Sequence, residues 1–371
     1  MPQINQSSYK KIQLPFKIKK SVLALGSQSK NTVCFAKGKF AYLSRVHPDL
    51  NLLRDFADFE KAVRCFLKKR PEIIACDLHP EYQSTKYVQQ LSAGNYRPTA
   101  VQHHHAHIVS CMLDNGLSNQ RVIGVAFDGT GFGPDGALWG AEFLLCDYRN
   151  FLRRAHLREV PLLGGQQAIL EPWRIAAAWL AQSGARFPRG IDLKKWRVLK
   201  AMSAAGINSP FASSMGRLFD AAASLILARD KIQFEAELAI ELEKSASRYA
   251  GKAKGYKFKI IKAKDGYIID PAQMWRQITA DLKSMERKDK IAYCFHLSVA
   301  EMAKKVCCVL RKESGIKKVV LSGGVFQNSL LLNLSLDLLY KQGFWPFAHR
   351  ELPCNDAAVS AGQAAIAGYG S

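Results

Sequence analysis

The densest group of chemically capable side chains is the run His103-His104-His105-Ala106-His107. On a helix, His103 and His107 stand four residues apart and project convergent imidazoles from one face, a spacing that suits a metal ion. His104 with His107, three apart, is a geometric rival. A hard or borderline cation held by two imidazoles needs carboxylates to complete its shell. Two candidates stand at strand-to-turn junctions: Asp128 after Val-Ile-Gly-Val-Ala-Phe, and Asp356 in Cys354-Asn355-Asp356. Taken singly, each reads first as a turn or helix-cap aspartate.

Three glycine-bearing turns follow apolar strands: Gly26-Ser27, Gly129-Thr130-Gly131 and Ser322-Gly323-Gly324. Amides exposed in such turns approach phosphate without a side chain in the way. Together they suggest a nucleotide cleft between two lobes. No GxxxxGK[ST] and no GxGxxG with a following acidic residue occurs, so neither a Walker loop nor a dinucleotide fold is signalled. Arg174 and Arg217 have forks suited to an anionic ligand, although pairing with a nearby acid is their ordinary use.

The elements that must position these groups are legible as alternating strands and helices, an α/β pattern. Leu53, Phe56, Phe59, Val63 and Phe66 fall at helical spacing, and Tyr256–Asp270 reads as a hairpin turning at Asp265-Gly266. Residues 1–18 read as a loose basic leader, 19–160 as a first α/β lobe and 161–371 as a second, more helical one, without a repeat of fixed period.

The chain has 371 residues, 48% hydrophobic and 23% charged, which excludes disordered and fibrous classes. Its formal net charge of +22 favours anionic ligands without naming one. The nine cysteines form no CxxC pair and lie mostly in apolar runs, so a reduced, cytoplasmic setting is expected. No signal region or membrane-length apolar stretch is present.

The ordered motifs DLHPEYQSTKY (77–87), VQHHHAHIVSCM (101–112), GVAFDGTGFG (124–133), WGAEF (139–143), EPWRIA (171–176), SSMGRLFDA (213–221), LSGGVFQNSLL (321–331) and PCNDAAVSAGQA (353–364) resemble the C-terminal half of the HypF hydrogenase-maturation carbamoyltransferases. The resemblance runs from about residue 20 to the end. It implies a two-lobed actin-like ATPase (ASKHA, RNase H-like) fold with a nucleotide and metal cleft, shared with the tRNA threonylcarbamoyl transferases and antibiotic O-carbamoyltransferases. The implied reaction moves the carbamoyl group of carbamoyl-adenylate to the C-terminal cysteine of a HypE-like partner, releasing AMP. Carried over by motif, the implied metal ligands are His103, His107, Asp128 and Asp356. The implied nucleotide contacts are Gly129, Thr130, Gly131, Ser322, Gly323, Gly324, Asn328 and Asn355. The implied cofactors are ATP, AMP or carbamoyl-adenylate, and a divalent ion such as Zn, Fe or Mg.

A complete member of this family carries acylphosphatase-like, zinc-finger and YrdC-type domains upstream. Nothing of that size precedes residue 20, so the chain alone is not expected to make carbamoyl-adenylate, and a separate chain would supply it. Gln166 replaces an acid, Ala357-Ala358 replace two glycines, Glu235-Ala236-Glu237 departs from Glu-Gly-Gln, and Pro48 precedes Asp49 where glycine is usual. The two methyl groups at 357 and 358 are expected to crowd a nucleotide. Competing readings are a diverged O- or N-carbamoyltransferase, a tRNA-modifying relative and a non-catalytic metal- and nucleotide-binding scaffold. The residues match the hydrogenase branch better than the tRNA branch, so neither a nucleic-acid nor a membrane partner is expected.

Overall fold

The computed structural model describes residues 9–92, 98–187 and 192–370. In the first sheet, β1 (Tyr9–Ala24) runs antiparallel to β3 (Cys34–Ser44) and parallel to β5 (Ile73–Asp77). Strand β6 (Pro98–Val101) completes the order β3-β1-β5-β6. The short β2 (Ser29–Asn31) and β4 (His47–Asp49) pair separately. Helices α1 (Leu53–Leu67) and α2 (Gln83–Ser92) belong to this lobe, and α3 (His103–Asp114) follows β6. Helix α1 forms where the spacing predicts, because Phe59, Val63 and Phe66 give it one apolar stripe to bury.

The second sheet opens with the meander β7 (Val122–Phe132), β8 (Leu138–Cys146) and β9 (Phe151–Leu157). Beyond β9 come β10 (Val160–Pro161), helices α4 (Gln167–Leu170), α5 (Trp173–Ser183) and α6 (Leu193–Ala204), β11 (Phe211–Ser214), α7 (Met215–Leu227) and α8 (Glu237–Ala246). The hairpin β12 (Lys259–Ala263) and β13 (Gly266–Asp270) precedes α9 (Ala272–Lys283) and α10 (Lys288–Ser314). The chain closes with β14 (Lys318–Ser322), α11 (Ser329–Lys341), β15 (Trp345–Phe347) and α12 (Val359–Gly368). The order is β12-β13-β9-β8-β7-β14-β15, with β14 parallel to both β7 and β15. Thus β3-β1-β5-β6 and β8-β7-β14-β15 share one plan, an antiparallel pair extended by two parallel strands.

Three readings of the sequence are revised. The leader read over 1–18 is β1 from Tyr9 onward, with Ile12, Leu14 and Ile18 buried between lysines, while residues 1–8 lie outside the described residues. The division read at 160 falls beyond three strands of the second sheet, which already begins at Val122. Gly129-Thr130-Gly131 is not a turn but an irregularity within β7, whose pairing with β8 breaks after Phe127 and resumes at Gly131; the turn lies at Gly133–Ala137.

The two lobes are joined by an exchange of helices. Helix α3, which leaves the first sheet, packs on β7 and β14 of the second, and α12, which leaves the second, packs on β1, β3 and β5 of the first. They cross so closely that a Cβ on Gly362 would lie 2.0 Å from the Ala106 carbonyl oxygen, between the two histidines at 103 and 107. Only glycine fits there. Gly362→Ala should therefore cost about 2–3 kcal/mol by forcing the helices apart. Urea unfolding measures it, and an unchanged midpoint would show that the crossing tolerates a methyl group.

Candidate functional site

Every residue of α3 from His103 to Leu113 is buried, so each imidazole needs a partner inside the protein. The side chain of Gln102 caps the helix by accepting from the His105 amide at 2.8 Å, and its amide group donates to His104 Nδ1 at 3.0 Å. Burial holds His104 neutral, with its pKa pushed down to about 3. His105 reaches the Asp147 carbonyl at 2.7 Å through Nε2. The two remaining rings, His103 and His107, have centroids 4.8 Å apart and face Asp128 and Asp356.

His103 Nε2 lies 3.3 Å from Asp128 Oδ2 and 3.8 Å from Asp356 Oδ1, and His107 Nε2 lies 3.4 and 3.5 Å from the same two atoms. The four ligand atoms all fall within 4.8 Å of one another. Behind His103, Asp77 at the end of β5 accepts from Nδ1 at 2.7 Å. That bond leaves the Nε2 lone pair pointing at carboxylate oxygens. Lone pairs so opposed require positive charge between them, from protons or a cation.

The electrostatics say the same. Burial alone would lower the histidine pKa values, yet Asp77 with Asp128 and Asp356 raises His103 well above its ordinary value, and His107 is also raised. Burial would raise the two aspartates, but the imidazoles hold Asp128 far below the carboxylate range and lower Asp356 too. Neither ring nitrogen of His107 makes a hydrogen bond of acceptable geometry. Two imidazoles and two carboxylates linked by a single long hydrogen bond, His103 Nε2 to Asp128 Oδ2 at 3.3 Å, with His107 unpartnered, fit a divalent ion of borderline character.

Beside this cluster a cleft of about 390 Å³ opens between the lobes. Lys30 and Tyr82 of the first lobe face Arg217 and Asp220 of the second, and Phe219 and Ile240 supply apolar wall. Arg217 is 3% exposed and sits 3.0 Å from Asp220, with Nε and Nη1 unpaired. A buried fork with free donors is equipped for an anion.

Of the residues read as nucleotide contacts, Gly129, Thr130, Gly324, Asn328 and Asn355 line the cleft. The Gly324 amide is already given to Asp128 Oδ1 at 2.9 Å. Asn328 caps α11 through the Leu331 amide and pairs with His296, and Asn355 binds the Ala357 amide and Gln327. Gly131, Ser322 and Gly323 do not lie on the cleft wall. A Cβ on Gly131 would come within 2.6 Å of His104 and 2.8 Å of His103, so that glycine makes room for the histidine rings. Ser322 pairs with His349 at 2.9 Å.

The departures sort differently from expectation. Ala357 and Ala358 are buried and outside the cleft wall, and the Ala357 carbonyl accepts from Thr32, so their methyl groups do not crowd it. Gln166 is exposed and also outside the wall. Arg174 is engaged with Glu171 at 2.7 Å, ordering the start of α5. Ala236 does line the cleft and holds φ at +65°, a left-handed conformation that favours glycine.

Two supporting residues escaped the sequence reading. Asp77 could have been found from its place at the end of a buried strand in the DLHP motif. Asp114, the last residue of α3, left no such signal: its Oδ2 accepts from the amides of Arg350, Glu351 and Leu352 at 2.6, 3.1 and 3.2 Å, fixing the segment that leads to Asp356.

Two lobes of one plan, a cleft between them and a His2Asp2 cluster at its edge define a protein with a two-lobed, actin-like α/β fold. Residues 17–114 match the family model described as the HypF Kae1-like domain, and residues 124–363 that of the carbamoyltransferase Kae1-like domain, second subdomain. Carbamoyltransferase HypF of Synechocystis sp. is 35% identical over 379 residues, covering 95% of this chain and 48% of that protein. A carbamoyltransferase HypF homolog of Cupriavidus necator is 34% identical, covering 93% and 91%. The crystal structure of full-length HypF in its phosphate- and nucleotide-bound form has a TM-score of 0.91 at 39% identity, covering 97% of this chain and 57% of that one. The chain belongs to the HypF carbamoyltransferase family and corresponds to its Kae1-like portion. It spans about half the length of several curated relatives it matches.

Two outcomes follow from the supports. Although burial opposes it, contacts with His349 and three backbone amides hold Asp114 at a pKa of about 2, below its unfolded value, so its contribution is complete above about pH 4 and is lost as pH falls toward 2. Asp114→Ala should cost about 2–3 kcal/mol at neutral pH and flatten the stability profile over that window; acid titration of both proteins measures this, and parallel profiles would count against the clamp. Ala236→Gly should relieve the left-handed strain and stabilise the chain by about 0.5–1 kcal/mol, read as a raised Tm. A lowered Tm would show the alanine to be unstrained.

Proposed function

We propose that this chain binds a divalent cation through His103, His107, Asp128 and Asp356, holds the AMP portion of carbamoyl-adenylate in the adjoining cleft, and transfers the carbamoyl group to a cysteine thiolate of a HypE-like partner. The observation that carries the proposal is the meeting of these four side chains beside a cleft with a buried, underused arginine. Family membership supplies the reaction class. The adenylate would come from a separate domain or chain.

In the proposed step the thiolate sulfur attacks the carbamoyl carbon, an S–C bond forms, and the C–O bond to phosphate breaks with its electron pair leaving on AMP. A bound dication would supply Lewis acidity to the carbonyl or a phosphate oxygen. Arg217 would take phosphate oxygens through its unpaired Nε and Nη1 and balance charge as it develops on AMP. Phe219 and Ile240 would receive the purine. Asp77 orients His103, so that the ligand set is in place before substrate arrives.

The test uses supplied carbamoyl-adenylate and a peptide ending in cysteine. AMP release should require divalent cation, and the peptide should gain one carbamoyl group in the mass spectrum. The His103→Ala/His107→Ala double variant should lose at least about 100-fold in rate. Equal transfer with and without that pair would refute the assignment.

A further inference from the structure

A second polar cavity lies away from the cleft, at the carboxyl ends of the parallel strands β9 and β13, with β8 standing between β9 and the strand that carries Asp128. It measures about 160 Å³ and is bordered by Arg158, Trp179, Gln182, Asp270 and Arg276. This end of a parallel pair, facing the start of α9, is where open α/β sheets receive ligands.

The walls hold more donors than the protein uses. Trp179 is 1% exposed, and its indole N–H has no acceptor. Arg158 Nε is likewise buried and unpaired. Arg158 spends only Nη2 on Asp270, at 3.3 Å, and Arg276 gives Nε to the Ser183 carbonyl at 3.0 Å. Asp270 also accepts from the Ala272 amide at 3.0 Å, so one carboxylate is shared by a helix start and an arginine. Two guanidinium groups against one carboxylate leave net positive charge around a small polar space. A buried indole N–H without a partner is costly, and a bound acceptor would remove that cost.

We propose that this cavity is a binding site for a small oxyanion of phosphate size, held by Arg158, Arg276 and the Trp179 indole N–H. The proposal is independent of the carbamoyl-transfer reading. The volume suits inorganic phosphate or sulfate and is too small to enclose a nucleotide. Because Trp179 stacks on Trp275 at 6.1 Å, occupancy should report through tryptophan emission as well as through stability.

The experiment titrates the full chain with inorganic phosphate at constant ionic strength, following tryptophan fluorescence and Tm. Saturable quenching and a rise in Tm are expected, since a ligand that binds only the native state must stabilise it. Arg158→Gln and Arg276→Gln should each weaken the apparent affinity at least about tenfold. Trp179→Phe, which keeps the ring but removes the N–H, should weaken phosphate binding read from Tm. The cleft wall holds no tryptophan, so Arg217→Gln should leave the phosphate-dependent quenching unchanged, and AMP should not reverse it. Absence of any saturable response in the parent chain would overturn the proposal, as would a response that survives both arginine substitutions or vanishes with Arg217→Gln. Comparing each variant's Tm without phosphate separates lost binding from lost fold.

Discussion

The backbone contact between α3 and α12 is the constraint on which the site depends. Helix α3 is buried along its length because it lies between the lobes, against the second sheet on one side and α12 on the other. Gly362 lets the Ala106 carbonyl approach to a distance no side chain permits. His103 and His107 flank that point of contact and inherit its rigidity. Asp356, three residues ahead of α12, is carried into place by the same helix, whose Gln363 side chain accepts from the Gly26 amide of the first lobe at 2.9 Å. Packing of small residues thereby holds His103, His107 and Asp356 together.

The histidine spacing and the two aspartates were legible in the sequence because coordination has a short vocabulary: imidazoles one helical turn apart and carboxylates at strand ends. What sequence could not give was the distinction among neighbouring histidines. His104 and His105 are the same residue type on the same helix, and only the positions of Gln102 and the Asp147 carbonyl separate them from His103 and His107. Glycines were ambiguous for a related reason. Glycine marks any close approach, and Gly131 serves an imidazole where a phosphate had been read.

The duplicated sheet plan was hidden because topology, unlike a solenoid repeat, imposes no period on the chain. The first lobe reaches its two parallel strands through α1 and α2, whereas the second places a long helical excursion between β9 and β14. The lobe boundary was misplaced for the same reason: strands β7 to β9 continue a strand-rich texture across a real change of sheet. The start of β1 was missed because its lysines suggested a solvated leader, although Ile12, Leu14 and Ile18 between them already carried the burial pattern of a half-covered strand.

Charge balance gives the last constraint. Asp77, Asp128 and Asp356 place three carboxylates around two imidazoles in a region where His103 and His107 are wholly buried. Desolvating that much negative charge is tolerable only with compensating positive charge at the centre. Protons on the histidines supply part of it, but each proton binds one direction, while four converging donor atoms surround a point. A dication would meet all four at once and let both rings return to their neutral form. The cluster is therefore the electrostatic closure of the seam between lobes, with α3, β7 and the approach to α12 each contributing a side chain that the others need neutralised.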